Sequence, residues 1–162
     1  MKNVTLIAAI GKNNELGKNN NLIWRISEDL KFFKENTIGK PVVMGFNTLK
    51  SLPRRLKDRD YIVLTSKNIE LYDNDIVVHS MDELLETISK IDKEVMVIGG
   101  ASLYTQMIEY ADKMLLTEID AEDKEADCFF PSFIQDEWDK TIISSNVSED
   151  NIKYKHLVYK RK

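Results

Sequence analysis

In the segment SEDLKFFKEN, beginning at Ser27, one acid stands apart from its neighbours. On a helical wheel at about 100° per residue, with Asp29 at zero, Phe32 lies about 60° to one side. Phe33, Ile26 and Leu30 lie at about 40°, 60° and 100° on the other side. Glu28, Lys31, Lys34 and Glu35 fill the rest of the circumference, where a solvated acid belongs. An acid among aromatics loses water, which suits it to proton chemistry or to gripping a cationic ligand. The competing reading is an acid in the first helical turn, placed there by the helix dipole. Thr117, in the middle of an apolar run, has a hydroxyl that could serve the carboxylate, although spacing alone does not bring the two together.

Three further motifs have chemical potential. VMVIGGASLY reads as strand, Gly99–Gly100, helix, and PVVMGFNTLK repeats the pattern with Gly45 and a short helix opened by Asn47 or Thr48. Such junctions let backbone N–H groups approach phosphates, and two of them suit a dinucleotide, though a tight turn without a ligand has the same sequence. RRLKDR, from Arg54 to Arg59, is either a solvated basic loop or an anchor for a substrate carboxylate.

The elements that position these residues follow from the apolar runs. VTLIAAI, PVVMG, YIVLT, DIVVH, VMVIGG and KMLLTEI are mostly continuous, as expected of parallel strands covered on both faces. KTIISS and KYKHLVYKR are mixed and read as edge or antiparallel strands. Helical stripes lie in SEDLKFFKEN, in MDELLETISKI with Ser80 or Asp82 as cap, and in ASLYTQMIEY. Strands alternating with helices imply βαβ units. The stretch from Gly11 to Leu22 reads as a long polar loop between the first strand and the first helix, where α/β folds bind ligands.

The whole chain sets bounds. Its 162 residues are expected to form one domain, 1–162. A net charge of −4, without a clustered basic face, argues against nucleic acid. No run is long enough to span a bilayer, and the LIAAI run reads as a strand instead of a leader. Cys128 is the one cysteine, so no internal disulfide forms and a reducing cytoplasm is expected. With two histidines far apart, His79 and His156, neither a metal site nor chemistry on a histidine base is expected.

As a set, LIAAI, NNLIWRISEDLKFFKENTIGKPVVMG, VIGGASLY, LLTEIDAE and FFP at Phe129–Pro131 resemble the dihydrofolate reductases over nearly the whole chain. The resemblance implies an α/β fold: a central, mostly parallel eight-stranded sheet with an antiparallel C-terminal strand and about four flanking helices. It implies hydride transfer from NADPH to carbon 6 of 7,8-dihydrofolate, with a proton added at nitrogen 5. Asp29 would bind the pteridine and promote its protonation, Thr117 would support it, and Trp24 would order a nearby water. Ile7, Ala9 and Ile98 would wall the ring pocket. Leu30, Phe33 and Leu52 would line the space for the pteridine and aminobenzoyl groups, and Arg59 would hold the glutamate carboxylate. The loop to Leu22 would be a mobile lid. Gly99 and Gly100, through a cis peptide, and Tyr104 would contact the cofactor, with Leu22, Gly45, Asn47, Thr48, Ser66, Lys67 and Ser102 completing its site. Partners would be dihydrofolate and antifolate inhibitors, with a monomer expected and no membrane or metal.

The chain departs from the family pattern at several points. Ile23 replaces a Pro before Trp24, and Ser27, which reads as an N-cap, replaces another. Phe46 replaces an Arg after MG, leaving Lys67 as the charged candidate for the 2′-phosphate of NADPH. RLKDR replaces PLPGR and loses its turn residues. Two alternatives are disfavoured by residues that are present. A pyrimidine reductase of the same fold would lack the Trp24–Asp29–Phe33 set, and a non-catalytic nucleotide sensor would lack Asp29, Thr117 or Arg59.

Overall fold

A computed structural model describes residues 3–72 and 74–162. One eight-stranded sheet organises them. Its strands are β1 (Val4–Ile10), β4 (Val42–Gly45), β5 (Tyr61–Leu64), β6 (Ile76–Val78), β7 (Val95–Gly99), β8 (Lys113–Ile119), β10 (Trp138–Val147) and β11 (Lys153–Arg161). The order across the sheet is β10-β11-β8-β1-β7-β4-β5-β6. Every pairing from β8 to β6 is parallel, while β11 runs antiparallel to both β8 and β10. Helices α1 (Ser27–Thr37), α2 (Phe46–Ser51), α3 (Met81–Ser89) and α4 (Ala101–Met107) supply the crossovers. This is the architecture expected from the continuous apolar runs.

Alternation along the strands sorts the core. In β1, Val4, Leu6 and Ile10 join one buried cluster with Leu84 and Ile88 of α3 and Leu103 and Met107 of α4. Ile7 faces the other way, into a cluster with Met44, Val63 and Leu115 against which Phe32, Phe33, Leu49 and Leu52 pack. The second face is the one that carries α1.

The first helix begins at Ser27 as the sequence predicts, but its cap and the opening of α2 depart from that reading. Ser27 is the first residue of α1, and the N-cap is Ile26, which makes no side-chain cap bond. Ile26 is 6% exposed and packs with Ile119 and Tyr154, so burial fixes the entry to the helix. The Ile26 carbonyl accepts from the Asp29 and Leu30 amides at 3.0 Å each. In the same way α2 opens at Phe46 directly from Gly45, ahead of Asn47 and Thr48. Thr48 Oγ1 is turned across the sheet edge toward Gly99 and Gly100 and does not cap its own helix. Ser80 does cap α3, its hydroxyl accepting from the Glu83 amide.

The stretch from Gly11 to Leu22 is a third correction. It is not a plain loop: β2 (Glu15–Lys18), β3 (Asn21–Leu22) and the distant β9 (Cys128–Phe129) form a separate three-stranded sheet. Asn14, Asn19 and Asn20 take positive φ of 64°, 51° and 61° at its turns. Asparagine tolerates that left-handed region, which accounts for the Asn-rich composition.

Candidate active site

The site is built on a row of residues that register sets across three strands. Ala9 of β1 pairs with Thr117 of β8, and Thr117 pairs with His156 of β11. All three side chains share the face beneath α1. From its first turn α1 lowers Asp29 onto this row. Asp29 Oδ1 accepts from Thr117 Oγ1 at 2.5 Å and lies 3.1 Å from His156 Nε2. Among the described residues no donor reaches Oδ2. The Asp29 side chain is 17% exposed, with one oxygen held by protein and the other open to the cleft.

His156 joins this row as a neighbour of Asp29, a placement that the sequence reading did not make. The two histidines are distant from each other, but His156 stands 127 positions from Asp29 in sequence and directly beside it in space. The residue is 7% exposed, and its ring stacks on Phe32 with centroids 3.9 Å apart. The signal was present in KYKHLVYKR, whose alternation puts Tyr154, His156 and Val158 on one face.

Apolar walls extend from this row. Ile7 and Leu115 are buried, with Phe33, Leu52 and Ile98 packed against them. Leu22 and Leu30 are exposed, at 46% and 38%, and belong to no buried cluster. Trp24 packs with Ala9, Ile26 and Ala121. A Cβ on Gly11 would stand 2.6 Å from the Trp24 ring and 2.5 Å from the Glu15 carboxylate, so the indole lies flush on the backbone there. Glu15, passed over in the sequence, is 1% exposed and accepts from the amides of Asn13 and Asp123 at 2.7 Å each.

At one end of the cleft lies Arg59, 8% exposed. It donates from Nε to Thr37 Oγ1 at 3.1 Å, from Nη2 to the Lys34 carbonyl at 2.6 Å, and from Nη1 to the Lys57 carbonyl. Burial lowers its guanidinium from the ordinary value, against the pull of Asp58 and Tyr61. Among the described residues it has no carboxylate partner. Asp58, at φ 60°, supplies the left-handed turn for which RLKDR has no glycine. Arg55 is engaged elsewhere, gripping Asp75 with both Nη groups at 2.6 and 2.7 Å. Although burial raises the Asp75 carboxyl, the bonds from Arg55 and from the Tyr61 and Tyr72 amides lower it on balance.

The two glycine junctions lie side by side at the other end, because Met44 pairs with Gly99. The Gly99–Gly100 peptide is cis. Gly99 has φ 134°, and a Cβ there would come within 3.2 Å of Thr48 Oγ1. A Cβ on Gly45 would meet only open space. Tyr104 is buried under this corner and donates to the Ile7 carbonyl at 2.6 Å; burial raises its phenol well above the ordinary value. Ser66, Lys67, Asn47 and Ser102 are exposed around the rim. Phe46 gathers cations: the Lys67 ammonium lies 4.6 Å and the Lys50 ammonium 5.1 Å from its ring centroid. Neither lysine is paired with a carboxylate among the described residues. Lys50 was not anticipated, although it lies four positions from Phe46 on one helix. An open glycine corner beside two unpaired ammonium groups fits a ligand bearing several phosphates.

Comparison with known proteins places the chain in a family. The family model described as dihydrofolate reductase matches residues 3–161. The dihydrofolate reductase of Bacillus subtilis is 36% identical over 162 residues, covering 98% of this chain and 95% of the relative. That of Haemophilus influenzae is 38% identical, covering 83% and 82%. The solved dihydrofolate reductase of Enterococcus faecalis, complexed with NADP(H) and RAB-propyl, superposes with a TM-score of 0.85 at 32% identity, covering 98% and 96%. With the sheet order, the acid on its row and the paired glycine junctions in place, these matches show that the chain belongs to the dihydrofolate reductase family.

Proposed function

We propose that the cleft beneath α1 is where this reductase binds and protonates its pterin, with Asp29 as the catalytic acid group. The enzyme reduces 7,8-dihydrofolate to 5,6,7,8-tetrahydrofolate with NADPH. The observation that carries the assignment is the asymmetry of Asp29: Oδ1 is held by the protein and Oδ2 is free, in an otherwise apolar cleft. A carboxylate so fixed accepts from the N–H groups of the pteridine, holds it in one orientation and favours proton uptake at nitrogen 5. Trp24 orders a water near that edge. Ile7, Ala9 and Ile98 wall the ring, Leu30, Phe33 and Leu52 line the aminobenzoyl space, and Arg59 receives the glutamate carboxylate. The same walls take antifolate inhibitors. The lid over residues 11–22, with Leu22 at its end, excludes water from the cleft.

Gly45, Asn47, Thr48, Gly99, Gly100 and Ser102 hold NADPH along its phosphates, with Tyr104 beneath and Ser66 and Lys67 at the 2′-phosphate. Bound NADPH supplies the hydride for carbon 6. The chain works as a single domain and a monomer, and its one free thiol, Cys128, suits a reducing cytoplasm. Among the described residues no helix is long and apolar enough to cross a membrane.

The test follows nicotinamide absorbance with dihydrofolate and NADPH. Asp29→Asn is expected to lower kcat at neutral pH by about 10²–10⁴-fold while sparing NADPH affinity, because the carboxylate acts on the pterin alone. A variant within about twofold of wild-type kcat would remove Asp29 from the mechanism.

A further inference from the structure

His156 makes a contact for which the proposed reaction has no role: its Nε2 lies 3.1 Å from the oxygen of Asp29 that Thr117 already holds. We propose that His156 is a positioning residue that fixes Asp29 through an Nε2–H hydrogen bond, aiming Oδ2 at the substrate. This rests on the role given to Asp29 above.

Hydrogen-bond chemistry fixes the proton on Nε2. Asp29 Oδ1 is an acceptor and already takes the Thr117 hydroxyl. A bare ring nitrogen at 3.1 Å would set lone pair against lone pair, so Nε2 carries the hydrogen. On the other side of the ring, Nδ1 is 3.3 Å from Ser144 Oγ, which itself accepts from Asn146 Nδ2 at 2.9 Å. The Ser144 hydroxyl therefore has its own proton to give to Nδ1. Donors run one way, from Asn146 through Ser144 and His156 to Asp29, and a neutral imidazole satisfies every member.

The surroundings are built to hold that ring. Phe32 stacks on it with the planes 7° apart, and Tyr154 meets it at 65° with centroids 5.5 Å apart. A register irregularity in β10 between Ile142 and Ser144 sets Ser144 opposite His156. Without the extra residue Ile143 would stand there, with nothing to offer Nδ1. Beyond the ring a hollow is lined by Glu28, Lys31, Glu35, Ser144, Asn146 and Tyr154. Two anchors on one oxygen, from adjacent strands in register, restrict rotation of the carboxylate in a way that either alone would not.

Two substitutions separate hydrogen bonding from packing. His156→Phe keeps a flat ring for Phe32 and loses both hydrogen bonds, whereas His156→Gln loses the stacking but keeps a side-chain donor. His156→Phe is expected to lower kcat about tenfold with NADPH affinity unchanged, and His156→Gln to recover a substantial part of it. Full kcat in the Phe variant, or a folded Gln variant no better than Phe, would overturn the proposal. A readout independent of variant folding is the ¹⁵N spectrum of the wild-type ring. It should show a protonated Nε2 and an unprotonated Nδ1 in the neutral form, with the Nε2–H signal moving in Asp29→Asn. The opposite tautomer, or an Nε2–H indifferent to Asp29→Asn, would also overturn it. If instead Asp29→Asn keeps full turnover while moving that signal, the bond stands and the role given to Asp29 fails.

Discussion

Arg59 is a buried cation whose protein partners are all neutral oxygens. Leaving a guanidinium in that state is unfavourable until an anion arrives, and the remaining N–H groups of its fork suit a carboxylate. Arg55, four positions away in the same loop, already has its countercharge in Asp75. Arg59→Ala is therefore expected to raise KM for dihydrofolate by about tenfold or more with a much smaller effect on kcat, since its bond forms equally in ground and transition states. An unchanged KM would move the anchor elsewhere in the loop. At the opposite rim, where the family resemblance implies an arginine, Phe46 draws Lys67 and Lys50 to its face, and the proposed cofactor site takes its charge from them. Lys67→Ala is expected to cut kcat/KM for NADPH about tenfold or more and to leave NADH nearly untouched. Equal loss with both cofactors would assign Lys67 to the pyrophosphate or to the local fold.

Among the elements, the lid depends on one buried acid. Among the described residues Glu15 has no cationic partner, and it satisfies two amides, those of Asn13 just before β2 and Asp123 in the connection to β9. The lid tip also reaches α2, where Asn20 Nδ2 donates to the Asn47 carbonyl at 3.1 Å. Removing the Glu15 carboxylate orphans both amides at about 1–3 kcal/mol each, concentrated in this small sheet. Glu15→Ala is expected to speed hydrogen exchange at Gly17, Asp127 and Phe130 while leaving β1 and β8 protected. Unaltered exchange in the lid would show that β2 and β9 hold without the acid. The same element marks the limit of reading from sequence. The parallel strands and α1 announce themselves by local periodicity, and Asp29 was legible because its neighbours within one helix define an apolar arc. β2 and β3 are four and two residues long, too short for a periodicity to show, and β9, which pairs with β2, lies more than a hundred positions away, so no local window contains that pairing. His156 was hidden by the same distance, since its meaning comes from strand register across β8. The cap of α1 is Ile26 and not Ser27 because burial of Ile26, which no local pattern reveals, fixes the entry to the helix.

At the scale of the whole molecule, chemistry and stability sit at opposite ends of the sheet. The glycine junctions lie at the C-terminal ends of β4 and β7, whereas Glu94 lies just before β7 and ties together the N-terminal ends of four adjacent strands. It accepts from Lys40 at 2.7 Å, Lys113 at 2.8 Å and Thr5 Oγ1 at 2.6 Å. Burial raises this carboxyl, but the bonds from Lys113, Lys40 and Thr5 outweigh it and hold it at about 2. A carboxyl lowered in the folded state stabilises the fold above its unfolded value, and that contribution disappears as pH falls toward the folded one. From the ordinary 4.5 down to about 2, the loss is on the order of 3 kcal/mol. Urea unfolding of the wild type should therefore weaken steeply over that window. Glu94→Gln should begin less stable at neutral pH and show a shallower acid slope, and the contribution of Asp75, common to both proteins, cancels in the comparison. Turnover at neutral pH should stay within about twofold of wild type, because the Glu94 partners Lys40, Lys113 and Thr5 lie at the strand ends opposite the glycine junctions. Identical acid slopes in the two proteins would mean that the four strand ends are held by their backbone pairing alone.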